Sequence, residues 1–224
     1  MACKMMWRRS CFAIVSAAMV MTCLSAVVRA DTYGFEGLTV NDVTNTAVAE
    51  AQLFVEVTDI GGGKVLFRFY NVGPTTSALT DVYFDDGTLL GIAYLIDADD
   101  NGGMAGVDFS QLASPRNLPA GQEADPDFQA TTGFVADSDP PVQHNGVNPR
   151  EEFGIVFDLQ TGRGFNDVLH DLQTGELRIG IHVQGFPRGG SESLLNRPVA
   201  IPEPATLVLT GIGFALFSTA RRRR

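Results

Sequence analysis

The stretch "AQLFVEVTDIGGGKVLFRFY", residues 51–70, decides the fold class, because apolar and polar residues alternate in both of its halves. This period of two is the spacing of a β-strand that buries one face. Three glycines at positions 61–63 separate the halves, and a glycine-rich loop between two such strands predicts a β-hairpin. The alternating apolar residues are Leu53, Val55, Val57, Val65, Phe67 and Phe69.

Two later stretches, "EEFGIVFDL" at 151–159 and "ELRIGIHVQGF" at 176–186, repeat the alternation. A different spacing occurs in "GFNDVLHDL", where apolar residues recur at i, i+3, i+4 and i+7 and predict one short helix. Strands and helices do not alternate along the chain, so the sequence predicts an all-β domain, an antiparallel β-sandwich of jelly-roll-like form with one short helix. Weaker strand patterns between Gly, Pro, Asn and Asp clusters span residues 34–40, 79–84, 88–96 and 128–134.

The first thirty residues have the layout of a secretory signal peptide. A basic start precedes an apolar run over 11–24, and the predicted cut lies between Ala30 and Asp31. The Arg8-Arg9 pair also allows a twin-arginine signal, but the residues after it fit general secretion better. All three cysteines lie in this segment, so the mature chain has no thiol for a disulfide or a metal site.

Residues 31–200 form the predicted exported domain, which is long enough for one hydrophobic core. It contains eight basic and 25 acidic residues, a formal charge of −17. A field of this sign repels nucleic acid and anionic lipid and attracts divalent cations or basic partners. We therefore expect no nucleic-acid binding.

The C-terminal segment, residues 201–224, has three parts in a fixed order. The motif Pro202, Glu203, Pro204 comes first, an uncharged apolar run follows, and four arginines end the chain. The sixteen residues of the run reach about 24 Å as a helix, short of the roughly 30 Å of hydrocarbon in a bilayer. They predict a single, marginal transmembrane helix. The positive-inside rule keeps the cluster of Arg221, Arg222, Arg223 and Arg224 in the cytoplasm and the domain outside.

This tripartite tail resembles the PEP-CTERM sorting signal of Gram-negative bacteria that make exopolysaccharide. The resemblance implies that exosortase, a membrane protease, recognises the Pro-Glu-Pro region and releases the protein from a transient anchor in the inner membrane. The implied destination is the cell surface or the extracellular space, and a permanent tail anchor is the alternative. Segments within 80–197, such as "LRIGIHVQGFPRGGSESLLN", resemble one group of PEP-CTERM passengers, which are mostly of unknown function and bring no catalytic residues.

The stretch "DADDNGGMAGVD", residues 97–108, predicts a possible calcium loop. Asp97, Asp99, Asn101 and Asp108 occupy positions 1, 3, 5 and 12 of the spacing by which an EF-hand loop presents oxygen ligands, with Gly102 at position 6. Position 12 is Asp rather than Glu, and the preceding residues resemble a strand rather than a helix. An Asp/Asn/Gly-rich turn between two strands, the commoner use of such residues, is the alternative.

Residues for nucleophilic catalysis are few. No G-x-S-x-G, H-E-x-x-H or phosphate-loop motif is present. His182 alternates with apolar neighbours and is expected to face away from the core, His170 lies on the polar side of the predicted helix, and His144 lies in a loop. The sequence "GGSES", residues 189–193, is expected to be a flexible loop. We therefore expect that the protein is not an enzyme.

The expected function is that of an exported structural or adhesive component of an exopolysaccharide matrix in a biofilm, with calcium as the one candidate cofactor. The alternative is a calcium-dependent, lectin-like carbohydrate-binding module. In that alternative Phe109, Phe128 or Phe134 would stack on sugar rings from the loops.

Overall fold

The computed structural model describes residues 30–112 and 114–198. These residues form ten strands, three α-helices and one 3-10 turn, and every strand pairing is antiparallel. The antiparallel β class predicted from the alternating stretches is therefore confirmed. The elements are β1 (Ala30–Gly37), α1 (Val43–Gln52), β2 (Leu53–Gly61), β3 (Lys64–Asn71), β4 (Ala78–Asp85), β5 (Leu89–Ile96), β6 (Phe109–Gln111), the 3-10 turn Gly121–Glu123, β7 (Val135–Ser138), α2 (Val142–Asn145), β8 (Glu151–Leu159), α3 (Phe165–Thr174), β9 (Arg178–Gln184) and β10 (Glu192–Pro198).

All ten strands belong to one sheet, in the order β5-β8-β3-β2-β1-β10-β9-β4-β7-β6. The sheet is nearly closed, so that strands of its two halves face each other across the core. Phe84 of β4 contacts Phe67 of β3 and Phe157 of β8, with ring centroids 5.0 and 4.6 Å apart. Phe109 of β6 stacks on Phe153 of β8 at 3.9 Å. Burying each such ring stabilises the fold by about 1.5–3 kcal/mol.

The hairpin predicted over residues 51–70 is confirmed as β2 and β3. Its alternating apolar side chains, from Leu53 to Phe69, are all fully buried. Strands β8 and β9 are likewise confirmed, and the predicted helix is α3, whose apolar face is buried as the spacing required. Helix α1 is an addition to the single helix expected; Asp42 caps it by accepting hydrogen bonds from the main-chain N–H groups of Thr44 and Asn45.

Two predictions about strands and loops were wrong. Residues 128–134 form no strand; Phe128 instead packs into a small apolar cluster on the outside of the sheet, and the adjacent strand β7 begins only at Val135. The expected flexible loop at 189–193 ends early, because Glu192 and Ser193 belong to β10 and are buried. Strand β6, only three residues long, was not predicted at all.

The outside cluster, formed by Tyr83, Leu118, Phe128 and Val135, holds the segment 114–134 against β4, β7 and β9. Arg178 of β9 pairs with Asp85, donates to the main-chain carbonyl of Asp127, and lies 5.4 Å from the ring centre of Phe128. The sheet is thus covered on part of its outer face.

Strands β1 and β10 lie side by side in the middle of the sheet, with Tyr33 opposite Pro198. The start of β1 and the end of β10 are therefore at the same end of the sheet. The predicted signal peptide, residues 1–30, lies outside the described residues except for Ala30, and the sorting tail at 201–224 lies wholly outside them. Within the described ranges, no helix is both long and apolar enough to cross a membrane.

Candidate functional site

The loop between β5 and β6 brings three of the predicted calcium ligands together. Oxygen atoms of Asp97, Asp99 and Asp108 all lie within 4.8 Å of one another. Asp97 is fully buried at the end of β5, Asp99 is exposed, and Asp108 is half-buried. One carboxylate therefore anchors the cluster in the protein while the other two face solvent.

Main-chain hydrogen bonds hold the carboxylate of Asp97 in place. Its Oδ1 accepts from the N–H of Asp100 at 3.1 Å, and its Oδ2 accepts from the N–H of Phe109 at 3.1 Å. Since each carboxylate oxygen can accept more than one hydrogen bond, both keep a lone pair for another partner. These two hydrogen bonds tie Asp100 and Phe109 back to Asp97, the first residue of the loop.

The pKa values of these groups reflect both their burial and the negative charges clustered around them. Burial, helped by the charges of Asp99 and Asp100, raises the pKa of Asp97 to about 6, although its two N–H donors act in the opposite direction. Burial and the charges of Asp99 and Asp139 also raise the pKa of Asp108. A divalent cation among these oxygens would offset the repulsion.

The fourth predicted ligand, Asn101, is engaged differently. Its side-chain Nδ2 donates to the main-chain carbonyl of Leu95 at 2.6 Å, and its backbone is left-handed, with φ of 56°. The amide nitrogen thus ties the loop back to β5. The role of Asn101 as a calcium ligand stays a prediction.

A row of polar residues crosses the outer face of β10, β9 and β4. Ser193 lies opposite His182, which lies opposite Asp81, and His182 Nδ1 is 3.1 Å from Asp81 Oδ2. His182 lies on the outer face as predicted, yet its side chain is only 14% exposed. Ser193 Oγ is buried and has no hydrogen-bond partner. The order of the three residues is that of a catalytic triad, but a serine that neither touches the imidazole nor reaches solvent is no nucleophile.

The same row continues into a pair of carboxyl groups, since Asp137 of β7 lies opposite Asp81. Asp81 is buried and accepts from Thr80 Oγ1 at 2.7 Å and from the Tyr83 hydroxyl at 3.3 Å. Burial, followed by the charge of Asp81 and a hydrogen bond between the two side chains, raises the pKa of Asp137 to about 6. Near neutral pH the two carboxylates therefore repel each other beneath the segment that leads into β7.

The other two histidines are on the surface. His170 is exposed on α3, as its helical position predicted. His144 is also exposed, but it belongs to the short helix α2 rather than to a loop, and its Nδ1 lies 3.0 Å from Asn145 Oδ1. Neither is close to the row of polar residues by any contact in the described part of the chain.

The three phenylalanines considered for sugar stacking are all buried. Phe109, Phe128 and Phe134 expose 4%, 1% and 7% of their surfaces. Phe109 and Phe134 pack against β8 from inside the sheet, and Phe128 fills the outside cluster. The lectin-like alternative therefore has no sugar-stacking surface in these three rings, because each of them packs against other apolar side chains instead.

A groove of about 350 Å³ lies on the outer face of the other half of the sheet. Strands β3 and β8 supply Arg68, Glu152 and Gly154, and β5 supplies Ile96. Its remaining wall is residues 102–104 of the acidic loop. The groove therefore lies directly beside the cluster of Asp97, Asp99 and Asp108.

A second cavity, about 520 Å³, is lined by residues of the 112–135 region, including Leu112 and Ser114. These two residues flank position 113, which lies outside the described residues. The groove at Arg68 is the better-defined candidate.

No family model, curated protein or solved structure matches the chain. Sequence reasoning missed Arg68, Glu152 and Gly154 as possible site residues. The alternation in β3 and β8 did place all three on the polar face, but it did not indicate that residues 102–104, distant in sequence from both strands, would form a wall beside them.

Proposed function

We propose that the chain is an exported, non-enzymatic component of an exopolysaccharide matrix, delivered through a PEP-CTERM tail and acting as a structural or adhesive protein at the cell surface or in the biofilm. Exosortase and the inner membrane are its proposed partners during export, and the polysaccharide is its partner afterwards. In this view the two facing halves of the curled sheet are the layers of a jelly-roll-like sandwich.

The observation that carries this proposal is the pairing of β1 with β10. It brings the beginning and the end of the described chain to one end of the sheet. A domain linked to a membrane through its C-terminal segment then presents all its other surfaces to the outside. The resemblance of Pro202, Glu203 and Pro204 with the arginine cluster to the sorting signal supports the same route.

The test is expression of the full chain in a bacterium that has an exosortase. Intact-mass measurement of the extracellular protein should show that the tail is absent. Replacing the whole Pro202-Glu203-Pro204 motif by alanine should keep the protein in the membrane fraction with its tail, whereas the adjacent Ile201→Ala variant should be processed normally. Extracellular protein that keeps its tail, or equal processing of the two variants, refutes the sorting proposal.

Calcium binding by the acidic loop is a second proposal, favoured by the convergence of three carboxylates within 4.8 Å. Calcium takes six to eight oxygen ligands, which three carboxylates, main-chain carbonyls and water can supply. Bound calcium would neutralise the cluster and stiffen the wall of the groove.

A thermal melt in calcium or in chelator tests this second proposal. A ligand that binds only the folded state at about 100 times its Kd stabilises that state by about 2.7 kcal/mol, so the midpoint should rise in calcium. The rise should disappear in Asp99→Asn. It should persist in the neighbouring Asp100→Asn, since Asp100 lies outside the carboxylate cluster. An unchanged midpoint of the original protein in millimolar calcium refutes calcium binding.

A further inference from the structure

The groove beside the acidic loop is lined by the polar side chains of Arg68 and Glu152, by residues 102–104 of the loop, and by Ile96. Strand register places four residues in one row across it, with Arg68 opposite Glu56 on one side and Gly154 on the other, and Ile96 beyond Gly154. A Cβ atom at position 154 would lie 3.0 Å from the Cβ of Ile96. The absence of a side chain there lets Ile96 lie over the strand and leaves the floor of the groove low.

The polar groups of the groove combine donors and acceptors. Arg68 Nη1 lies 3.4 Å from Glu152 Oε1, and the two side chains are 35% and 40% exposed. The guanidinium has five N–H donors and the carboxylate only acceptors, so a ligand that contacts the pair finds both kinds of group in a small area. Tyr70, opposite Glu152, also interacts through its hydroxyl with Arg68.

Apolar surface flanks these polar groups. Met104 is 40% exposed at the mouth of the groove, and Ile96 is half-buried at its end. On the other side of the ion pair, Phe54 and Tyr70 lie opposite each other on the outer face, both half-buried. Apolar side chains beside hydrogen-bonding groups suit ligands that are apolar on one side and hydrogen-bonding on the other.

The charge of the groove indicates which ligand of this kind fits. Its lining contains one cation and one anion, Arg68 and Glu152, with the carboxylate of Glu56 next in the row and the acidic loop as a wall. No net positive charge is available for an anionic chain, which the surrounding domain also repels. An uncharged polyhydroxylated ligand meets no such barrier.

We propose that this groove binds a segment of a neutral polysaccharide. Sugar hydroxyls exchange hydrogen bonds with the guanidinium of Arg68 and the carboxylate of Glu152, while the C–H faces of the rings lie on Ile96 and Met104 in the groove and on Tyr70 beside it. The inference rests on the proposed matrix function and supplies its point of contact with the matrix. A volume of about 350 Å³ is at the small end of the range for ligand sites, which corresponds to one or two sugar rings in the groove and the rest of the chain outside.

Affinity electrophoresis of the full chain in mild detergent tests the proposal. Native gels contain dextran, galactomannan, mixed-linkage β-glucan or, as the anionic comparison, polygalacturonate. At least one of the three neutral polymers should retard the protein, and polygalacturonate should not. No retardation by any neutral polymer, or retardation by polygalacturonate alone, overturns the proposal.

Two matched variants locate the binding. Arg68→Met removes the donor from the groove but keeps the length of the side chain, and should weaken binding about tenfold or more. Lys64→Met removes a similar ion pair, with Asp158, from the same two strands but outside the groove, and should bind like the original protein. Equal binding by the two variants overturns the assignment to this groove.

Glu152→Gln is the second groove variant, for use if circular dichroism shows that Arg68→Met does not fold. It should also weaken binding, and unchanged binding again overturns the assignment.

Failure of the inference and failure of the proposed function give different results. A processed extracellular protein that binds no neutral polymer refutes only the binding of polysaccharide in the groove. An unprocessed protein that binds a neutral polymer refutes only the proposed sorting route.

Discussion

The carboxyl pair of Asp81 and Asp137 makes a sharp prediction for the substitution Asp137→Asn. The asparagine side chain has nearly the shape of aspartate, carries no charge, and can donate an N–H to the carboxylate of Asp81. The substitution therefore removes the repulsion within the pair without opening a cavity. We expect Asp137→Asn to be more stable than the original protein at neutral pH.

The magnitude follows from the pKa of Asp137, which rises from 3.8 to about 6 on folding. A pKa that is higher in the folded state stabilises the protein fully below the unfolded value, and this stabilisation is lost as the pH rises through about 6. An increase of about two corresponds to about 3 kcal/mol at 1.36 kcal/mol per pKa unit. Because Asp137 is only half-buried, solvent screening reduces the effect to about 1–3 kcal/mol.

Urea unfolding at two pH values measures this effect. At about pH 7.5 the free energy of unfolding of Asp137→Asn should exceed that of the original protein by about 1–3 kcal/mol, and at about pH 4 the difference should nearly vanish, since Asp137 is then protonated in the folded state. The exposed Asp127→Asn should change little at either pH. A difference for Asp137→Asn that is the same at both pH values refutes the explanation by the raised pKa of Asp137.

Three further substitutions test the packing and the anchors of the sheet. Glu192→Gln should lower the free energy of unfolding by about 1–3 kcal/mol, because the fully buried carboxylate accepts hydrogen bonds from Thr39 Oγ1 and from two main-chain N–H groups, and an amide replaces one acceptor oxygen by an NH2 group, which leaves at least one of these buried donors without an acceptor; the exposed Glu36→Gln should be neutral in the same urea titration. Phe84→Ala should cost about 3–5 kcal/mol, measured likewise, because the ring is fully buried between two aromatic neighbours, and a cost below about 1 kcal/mol contradicts the described core. Arg178→Met should leave the sheet folded but speed proteolytic cleavage within residues 114–134, because the side chain holds that segment through a hydrogen bond to the main-chain carbonyl of Asp127 and a cation–π contact with Phe128; unchanged cleavage contradicts this role.

The strands that the sequence predicted best, β2 and β3, are adjacent in sequence and pair with each other, and they have one apolar and one polar face. The hairpin of β2 and β3 is encoded in twenty adjacent residues, since the alternating positions from Leu53 to Val57 and from Val65 to Phe69 are apolar and buried and the glycines mark the turn. Strand β10 carries no such signature. Its first inward residue is Glu192. A sequence pattern assigns a glutamate to the surface, and only its hydrogen-bond donors at Asn41 and Asp42, about 150 positions away, explain why this carboxylate is buried.

The misassigned segment at 128–134 has a related cause. Phe128 is buried, but on the outside of the sheet, against Leu118 and Tyr83. A sequence pattern distinguishes apolar from polar positions and does not say which of two apolar clusters a residue joins. Strand β6 is too short for any period to be visible, and its place is set by pairing with β7.

The candidate sites divide in the same way. Spacing alone brought Asp97, Asp99 and Asp108 into one hypothesis, because a tight loop places alternate side chains on one side, and the carboxylates do converge. The Asp81 and Asp137 pair and the groove at Arg68 depend on contacts between residues far apart in sequence. They could be recognised only once the strand order and register were known.

The position of β10 has a mechanical consequence. The strand is hydrogen-bonded along both edges, to β1 on one side and β9 on the other. A force that pulls on the chain after Pro198, while the rest of the domain is held, acts along β10. Such a force must shear the hydrogen bonds to both neighbouring strands at the same time and cannot break them one after another. The domain therefore resists a pull from its C-terminal side through many hydrogen bonds loaded in parallel.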